Sequence, residues 1–298
     1  MAIPVGKAEL DNLQRLLELA KAEDLGGGDL TSELLPAELS AAARFVAREE
    51  LVFCGGFFLC PIAEAYDPRI ETIVHVADGQ PARAGDVLAT WRGPARALLS
   101  AERVALNFLQ QLSGIATVTR RYVEAVAGTD AVIVDTRKTV PGWRTLAKYA
   151  VRAAGGTNHR GGLYDAVLVK DSHLGVLAGA GSADPIAEIA RRFGEVRKRL
   201  GPEGFIEVEV DTLDQLDTAL GLPVDMILLD NMSAGQLREA VARRDAAGLR
   251  GRVALEASGG ITLEGVREVA ETGVERISVG ALTHSVRAVD IALEVGGE

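Results

Sequence analysis

The chain has 298 residues, about half of them apolar and a quarter charged, and a formal net charge of −10. Such a length buries a substantial core in one large or two ordinary domains, and nothing in the composition signals disorder. The acidic balance argues against nucleic acid or an anionic membrane as a partner; no apolar run approaches the roughly 20 residues of a spanning helix, and the N-terminus lacks a signal-peptide pattern.

Leu13, Leu16, Leu17 and Ala20 share a face at helical spacing and predict a helix over 10–22. Gly26-Gly27-Gly28 ends it as a hinge; it is no phosphate cradle, because no strand precedes it and no Lys-Ser/Thr follows. From 41 to 93, short apolar runs are broken by turns such as Ala77-Asp78-Gly79-Gln80-Pro81, which predicts an antiparallel sheet in a small α+β domain. Within it, Cys54 and Cys60 fit neither a CxxC pair nor a zinc knuckle and read as reduced core thiols of a cytoplasmic protein. A long helical stretch follows over 100–127, with Val104, Leu106, Phe108, Leu109, Leu112 and Ile115 apolar; Gly114 interrupts it and leaves room for two helices.

After that the rhythm changes. Apolar runs recur at 131–134, 166–169, 205–210, 226–229, 253–255 and 277–279, separated mostly by helix-like segments at 185–200, 213–220, 234–246 and 263–272. Apolar strands alternating with helices predict a parallel sheet covered by helices. No Gly-x-Gly-x-x-Gly follows the first strand, which disfavours a dinucleotide fold. Polar or glycine residues close the runs: Asp135-Thr136-Arg137-Lys138, Lys170-Asp171, Glu209, Asp230-Asn231, Ser258-Gly259-Gly260 and Gly280. Chemistry gathered at strand C-termini is the anatomy of a β/α barrel. Six runs instead of eight predict an open, incomplete one.

The cations gather between Asp135 and His173, where seven Lys or Arg residues stand against three Asp in an otherwise acidic chain. A local reversal of sign suits a pocket for a small polyanion, since the remaining surface repels anions in general.

The strings Glu102-Arg103-Val104-Ala105-Leu106-Asn107, Asp135-Thr136-Arg137-Lys138-Thr139-Val140-Pro141-Gly142, Gly156-Thr157-Asn158-His159-Arg160, Leu168-Val169-Lys170-Asp171-Ser172-His173, Leu228-Leu229-Asp230-Asn231, Ser258-Gly259-Gly260 and Val279-Gly280-Ala281-Leu282-Thr283-His284-Ser285 occur in this order. In them the chain resembles the quinolinate phosphoribosyltransferase (carboxylating nicotinate-nucleotide pyrophosphorylase) family over almost its whole length. The resemblance implies an α/β fold: an N-terminal α/β sandwich over 1–115, joined by the C-terminal segment 283–298, and an open β/α barrel over 116–282. It implies conversion of quinolinate and phosphoribosyl pyrophosphate (PRPP) into nicotinate mononucleotide, pyrophosphate and CO2, for NAD biosynthesis. Magnesium would come with PRPP and no organic cofactor is needed. The family works as a homodimer with shared sites; a higher homo-oligomer remains open.

By the same resemblance Arg137, His159, Arg160 and Lys170 surround the dicarboxylate together with the partner subunit's Arg103, and Thr136 belongs to the same substrate site. Planar guanidinium donors and point charges suit two adjacent carboxylates. Lys138 lies at the boundary between quinolinate and pyrophosphate and is counted with the catalytic residues. Glu209 and Asp230, carboxylates in an anion site, suit ribose hydroxyls, magnesium and positive charge developing at the anomeric carbon. Glu207, two residues before Glu209 on the same strand face, is its rival. Ser258, Gly259, Gly260, Val279, Gly280 and Ala281 place backbone at two neighbouring barrel mouths, a recurrent phosphate site. Ser172 and Trp143 depart from the family's pattern, where an Asn and a smaller apolar residue are usual. Two rivals share the scaffold: the pyrophosphorylase-like group encoded with molybdate transporters, and a catalytically silent metabolite sensor. The full basic set favours a dicarboxylate acceptor, and Glu209 with Asp230 disfavours a sensor.

Overall fold

The structure is a computed structural model that describes residues 4–296. Residues 1–3 and 297–298, the two ends of the expected sandwich domain, lie outside the described residues. The chain forms two compact units. One runs to Arg120 and includes Lys138–Gly156 and the segment from Ala281 onward; the other comprises Arg121–Arg137 and Thr157–Gly280.

In the first unit an antiparallel sheet runs in the order Ile291–Gly296, Ser40–Ala47, Val87–Pro94, Glu71–Val74. The C-terminal segment thus supplies an edge strand, with Ala43 opposite Val295. Phe45 and Trp91 pack edge to face at 4.8 Å in the core, a geometry that adds about 1 kcal/mol to their burial. The helix Lys7–Leu25 buries Leu13 and Leu17, as its spacing predicts. The hinge behind it is held by Asp29, which accepts from the backbone N–H groups of Thr31 and Ser32.

Two expectations are corrected here. Ala95–Ala125 is one continuous helix. Gly114 serves close approach instead of a break: a Cβ there would overlap the carbonyl oxygen of Arg287 and sit 3.0 Å from Val286 Cγ1. Of the two cysteines only Cys54 is in the core; Cys60 is exposed on the helix Leu59–Tyr66. Trp143 stacks on Phe108 at 4.9 Å, which gives it a packing role within this unit.

The second unit is built on a parallel sheet in the order Val132–Val134, Arg276–Ser278, Ala254–Ser258, Met226–Asp230, Ile206–Val210, Val167–Val169. The first two strands in sequence stand at opposite edges, so the barrel is not closed. Thr157 forms an isolated parallel bridge with Val134. The stretch between it and Val167 therefore spans from one edge of the sheet to the other. Ile206, Val208 and Val210 are buried on the helix-facing side. The helix predicted over 185–200 is two short ones, Pro185–Ala190 and Phe193–Arg197. Tight i→i+3 bonds from Arg192 to Ile189 and from Glu195 to Arg192 interrupt the ladder, while Ile186 and Phe193 both stay buried.

Candidate active site

Strand ends and one loop of the second unit carry most of the expected site residues. Asp135, fully buried just after Val132–Val134, accepts hydrogen bonds from His159 N at 2.8 Å and Asn158 Nδ2 at 2.7 Å. Thr157 N also donates to Ile133 O at 2.8 Å. A buried carboxylate supplied with donors in this way pins the loop 157–160 against the strand.

Arg160 follows, buried, its Nη1 donating to Ala166 O at 3.3 Å. Burial and the neighbouring Arg137 both push its guanidinium below the usual arginine range. Arg137 is half-buried, and its Nε is buried without a hydrogen-bond partner. Two guanidiniums held together, one with an orphaned donor, have the donor chemistry for an anion.

Lys170 Nζ lies 2.8 Å from Glu209 Oε2. Asp230 is half-buried and accepts from Asn231 Nδ2 at 2.6 Å. Asn231 has φ 53° and donates its backbone N–H to Ser258 O at 2.9 Å. Gly259 has φ 95°, and a Cβ there would overlap the Asn231 amide, so glycine is required on both counts. Val279 N donates to Val134 O at 2.9 Å, which sets Gly280 beside the first strand's end. Thr136 and Gly280 are half-buried. At Glu209 opens a cavity of about 530 Å³ whose lining also includes Asp171, Asp184, Asp211 and Asp214. Its acidity makes it a poor receptor for an anion.

The remaining expected residues lie in the first unit. Arg103 is exposed on Ala95–Ala125, Lys138 is exposed with its carbonyl accepting from Thr283 Oγ1 at 2.8 Å, and Ala281 begins the short helix Ala281–His284. Ser172 is exposed in the first turn of Asp171–Gly179.

His159 has both ring nitrogens engaged by protein. Nδ1 accepts from Arg160 N at 2.8 Å; Nε2 lies 2.9 Å from Glu207 Oε2 and 3.5 Å from Glu256 Oε1. Arg276 Nε donates to Glu256 Oε2 at 2.8 Å. Burial pushes the Glu207 carboxyl up to about 7 against the pull of Arg276 and Arg160; Glu256 is also raised, by burial and then by Glu207. One potential ligand atom from each of His159, Glu207 and Glu256 lies within 4.8 Å of the others. Arg276 donates to Glu256, and the Arg160 N–H donated to His159 Nδ1 leaves the ring proton on Nε2, toward Glu207; Glu207 Oε1 and Glu256 Oε1 are buried without a hydrogen-bond partner.

Glu256 and Arg276 did not figure among the expected site residues. The signal was a charge at the edge of each apolar run: Glu256 directly follows 253–255, and Arg276, after Glu275, directly precedes 277–279. The register aligns Glu256 with Leu228 on one side and Arg276 on the other, so these charges share a face of the sheet.

An open parallel barrel with arginines and carboxylates at its strand ends and charges on one sheet face defines a barrel enzyme for anionic small molecules. Comparison with known proteins narrows this. The quinolinate phosphoribosyl transferase N-terminal domain matches residues 29–113 and the C-terminal domain of the same family matches residues 115–294. The chain is 43% identical to a probable carboxylating nicotinate-nucleotide pyrophosphorylase of Bacillus subtilis, covering 95% of this chain and 93% of that one. It is 43% identical to the carboxylating nicotinate-nucleotide pyrophosphorylase of Mycobacterium leprae, over 96% and 98%. The solved nicotinate-nucleotide pyrophosphorylase of Francisella tularensis superposes with a TM-score of 0.88 at 36% identity, covering 99% of this chain and all of the other. The chain belongs to the quinolinate phosphoribosyltransferase family.

Proposed function

We propose that the chain transfers the phosphoribosyl group of PRPP to quinolinate with decarboxylation, giving nicotinate mononucleotide, pyrophosphate and CO2. The observation that carries this reading is the paired Arg137 and Arg160, with a buried guanidinium N–H that lacks an acceptor, in a chain of this family. A substrate carboxylate would satisfy that donor.

In this reading Arg137, Arg160 and Lys170 hold the dicarboxylate, joined by Thr136, by Lys138 at the pyrophosphate side and by the partner subunit's Arg103 in a homodimer. His159 fixes the loop. The pyridine nitrogen attacks the anomeric carbon as pyrophosphate leaves, and Glu209 and Asp230 offset the positive charge growing there. Once the nitrogen is alkylated, its positive charge stabilises the electron pair left at C2 when the 2-carboxylate departs as CO2, and C2 then takes up one proton from water, so no strong general base is required. Ser258, Gly259, Gly260, Val279, Gly280 and Ala281 offer backbone to the phosphate. Magnesium accompanies PRPP; the oxygen donors of Glu209 and Asp230 suit it by type. The setting is cytoplasmic NAD biosynthesis.

Incubation with quinolinate, PRPP and magnesium, with CO2 and pyrophosphate measured together, tests the proposal. Equal release of both is expected. Pyrophosphate without CO2 would point to another acceptor, and neither product would point to a sensor.

A further inference from the structure

We infer that Asp135 is a positioning residue for the acceptor pocket: its carboxylate ties the strand end that carries Arg137 to the loop that carries Arg160. The inference rests on the quinolinate reading above and deepens it.

Main-chain pairing takes the loop only part of the way. Thr157 bridges Val134, its N–H donating to Ile133 O at 2.8 Å and its carbonyl accepting from Asp135 N at 3.1 Å. The bridge is isolated, and the ladder goes no further. At that point the Asp135 side chain takes over. Its Oδ2 accepts from Asn158 Nδ2 at 2.7 Å, and its Oδ1 accepts from His159 N at 2.8 Å. The next N–H, that of Arg160, goes to His159 Nδ1 at 2.8 Å, while Nε2 of the same ring lies 2.9 Å from Glu207 Oε2. Two successive peptide N–H groups are thereby fixed just before the Arg160 side chain leaves the backbone. Arg137 stands two residues after the carboxylate that holds the first of them.

The tie has a task. Burial and then Arg137 push the Arg160 guanidinium below its usual range, so the two cations sit close enough to repel. Groups that repel keep one spacing only if the backbone behind each is held, and the Asp135 side chain spans both backbones. Asp135 is itself sealed from solvent, so it acts through the groups it places and not on the substrate. Both of its oxygens accept, which a carboxylate can do and an amide of the same shape cannot. Burying such a group is costly, and a strand end that needed only to pack would be served by an apolar side chain.

The experiment compares wild-type protein, Asp135→Asn, Asn158→Ala and the swap Asp135→Asn/Asn158→Asp. Asp135→Asn keeps the shape but sets one amide against another, so either His159 N or Asn158 Nδ2 loses its acceptor. The KM for quinolinate should rise about 10- to 100-fold, the scale of loss from a misplacement of about 1 Å. The KM for PRPP should stay within about twofold of wild type. In the swap the new amide donates to the new carboxylate while its oxygen serves His159 N, and the quinolinate KM should return to within about fivefold of wild type. Asn158→Ala removes one arm of the tie and should give a smaller rise in the same direction; it carries the kinetic test if Asp135→Asn does not fold. Amide hydrogen exchange gives the second readout: in Asp135→Asn the His159 N–H, the Asn158 side-chain N–H or both should exchange about tenfold faster or more.

An unchanged quinolinate KM in an active Asp135→Asn or Asn158→Ala enzyme, equal rises in both KM values, or no recovery in the swap would overturn the inference while leaving the function standing. If the wild type releases no CO2 from quinolinate, the function itself fails, and hydrogen exchange still decides the tie: unaltered rates at both groups in Asp135→Asn would refute it.

Discussion

Replacing Arg137 with methionine should move stability and binding in opposite directions. Its Nε is buried without an acceptor, and leaving such a donor unsatisfied costs the free protein about 1–3 kcal/mol. Arg137 also pushes down the guanidinium pKa of Arg160, a second unfavourable contact that Met removes while filling a similar space. Arg137→Met should therefore stabilise the ligand-free protein by about 1–2 kcal/mol. Binding goes the other way. Each charge-assisted hydrogen bond to a carboxylate contributes about 1.5–3 kcal/mol. Loss of a bidentate pair should thus weaken quinolinate about 10²- to 10⁴-fold, whereas PRPP affinity should stay within about threefold of wild type. Denaturant unfolding of the free protein and calorimetric titration of each substrate measure both halves. A destabilised variant whose two affinities fall together would refute the reasoning and make Arg137 a structural residue.

Glu209→Ala should lower kcat by about 10²-fold or more while quinolinate binds no more weakly, because Lys170 Nζ loses the carboxylate now 2.8 Å away; undiminished turnover would contradict the role given to Glu209. Gly259→Ala adds a Cβ at φ 95° against the Asn231 amide, so it should raise the KM for PRPP and spare that for quinolinate, and the reverse pattern in steady-state kinetics would move the phosphate elsewhere. Glu256 has its carboxyl pushed above the ordinary 4.5 by burial and then by Glu207. Between 4.5 and that raised value the folded chain holds a proton the unfolded chain has lost, so this group makes stability fall as pH rises through the window and level off above it. Urea unfolding across the window should show a shallower fall in Glu256→Gln than in wild type, and identical slopes would remove Glu256 as a source of the linkage.

The architecture was legible because the period of apolar residues is a local signal. Strands 131–134, 226–229 and 277–279 emerge at Val132–Val134, Met226–Asp230 and Arg276–Ser278, and a count of six parallel runs already implied a barrel that does not close. Gly114 was misread because its reason lies far along the chain, at Val286 and Arg287. Helix propensity cannot see a contact formed by a segment some 170 residues later. The split at Arg191 and Arg192 escaped for a similar reason, since Ile186 and Phe193 keep a heptad spacing that a continuous helix would also satisfy.

At the site, the strand-end motifs announced themselves as strings, whereas the inner charges did not. Glu256 and Arg276 sit at the edges of runs that average as apolar, Arg276 directly after Glu275. Only the parallel register turns two distant charges into neighbours. The missing closure and the buried charges have one physical explanation. A closed barrel fills its interior with apolar side chains from every strand and leaves no entry for a loop. Here the edges Val132–Val134 and Val167–Val169 do not pair, and the chain between them carries His159 toward the face that bears Glu207 and Glu256. An apolar face there would strand the ring's N–H without an acceptor, at about 1–3 kcal/mol. A full set of strands would shut the gap through which the loop passes. The open edge is thus what lets the loop 157–160 bring His159 to the charged face and Arg160 next to Arg137.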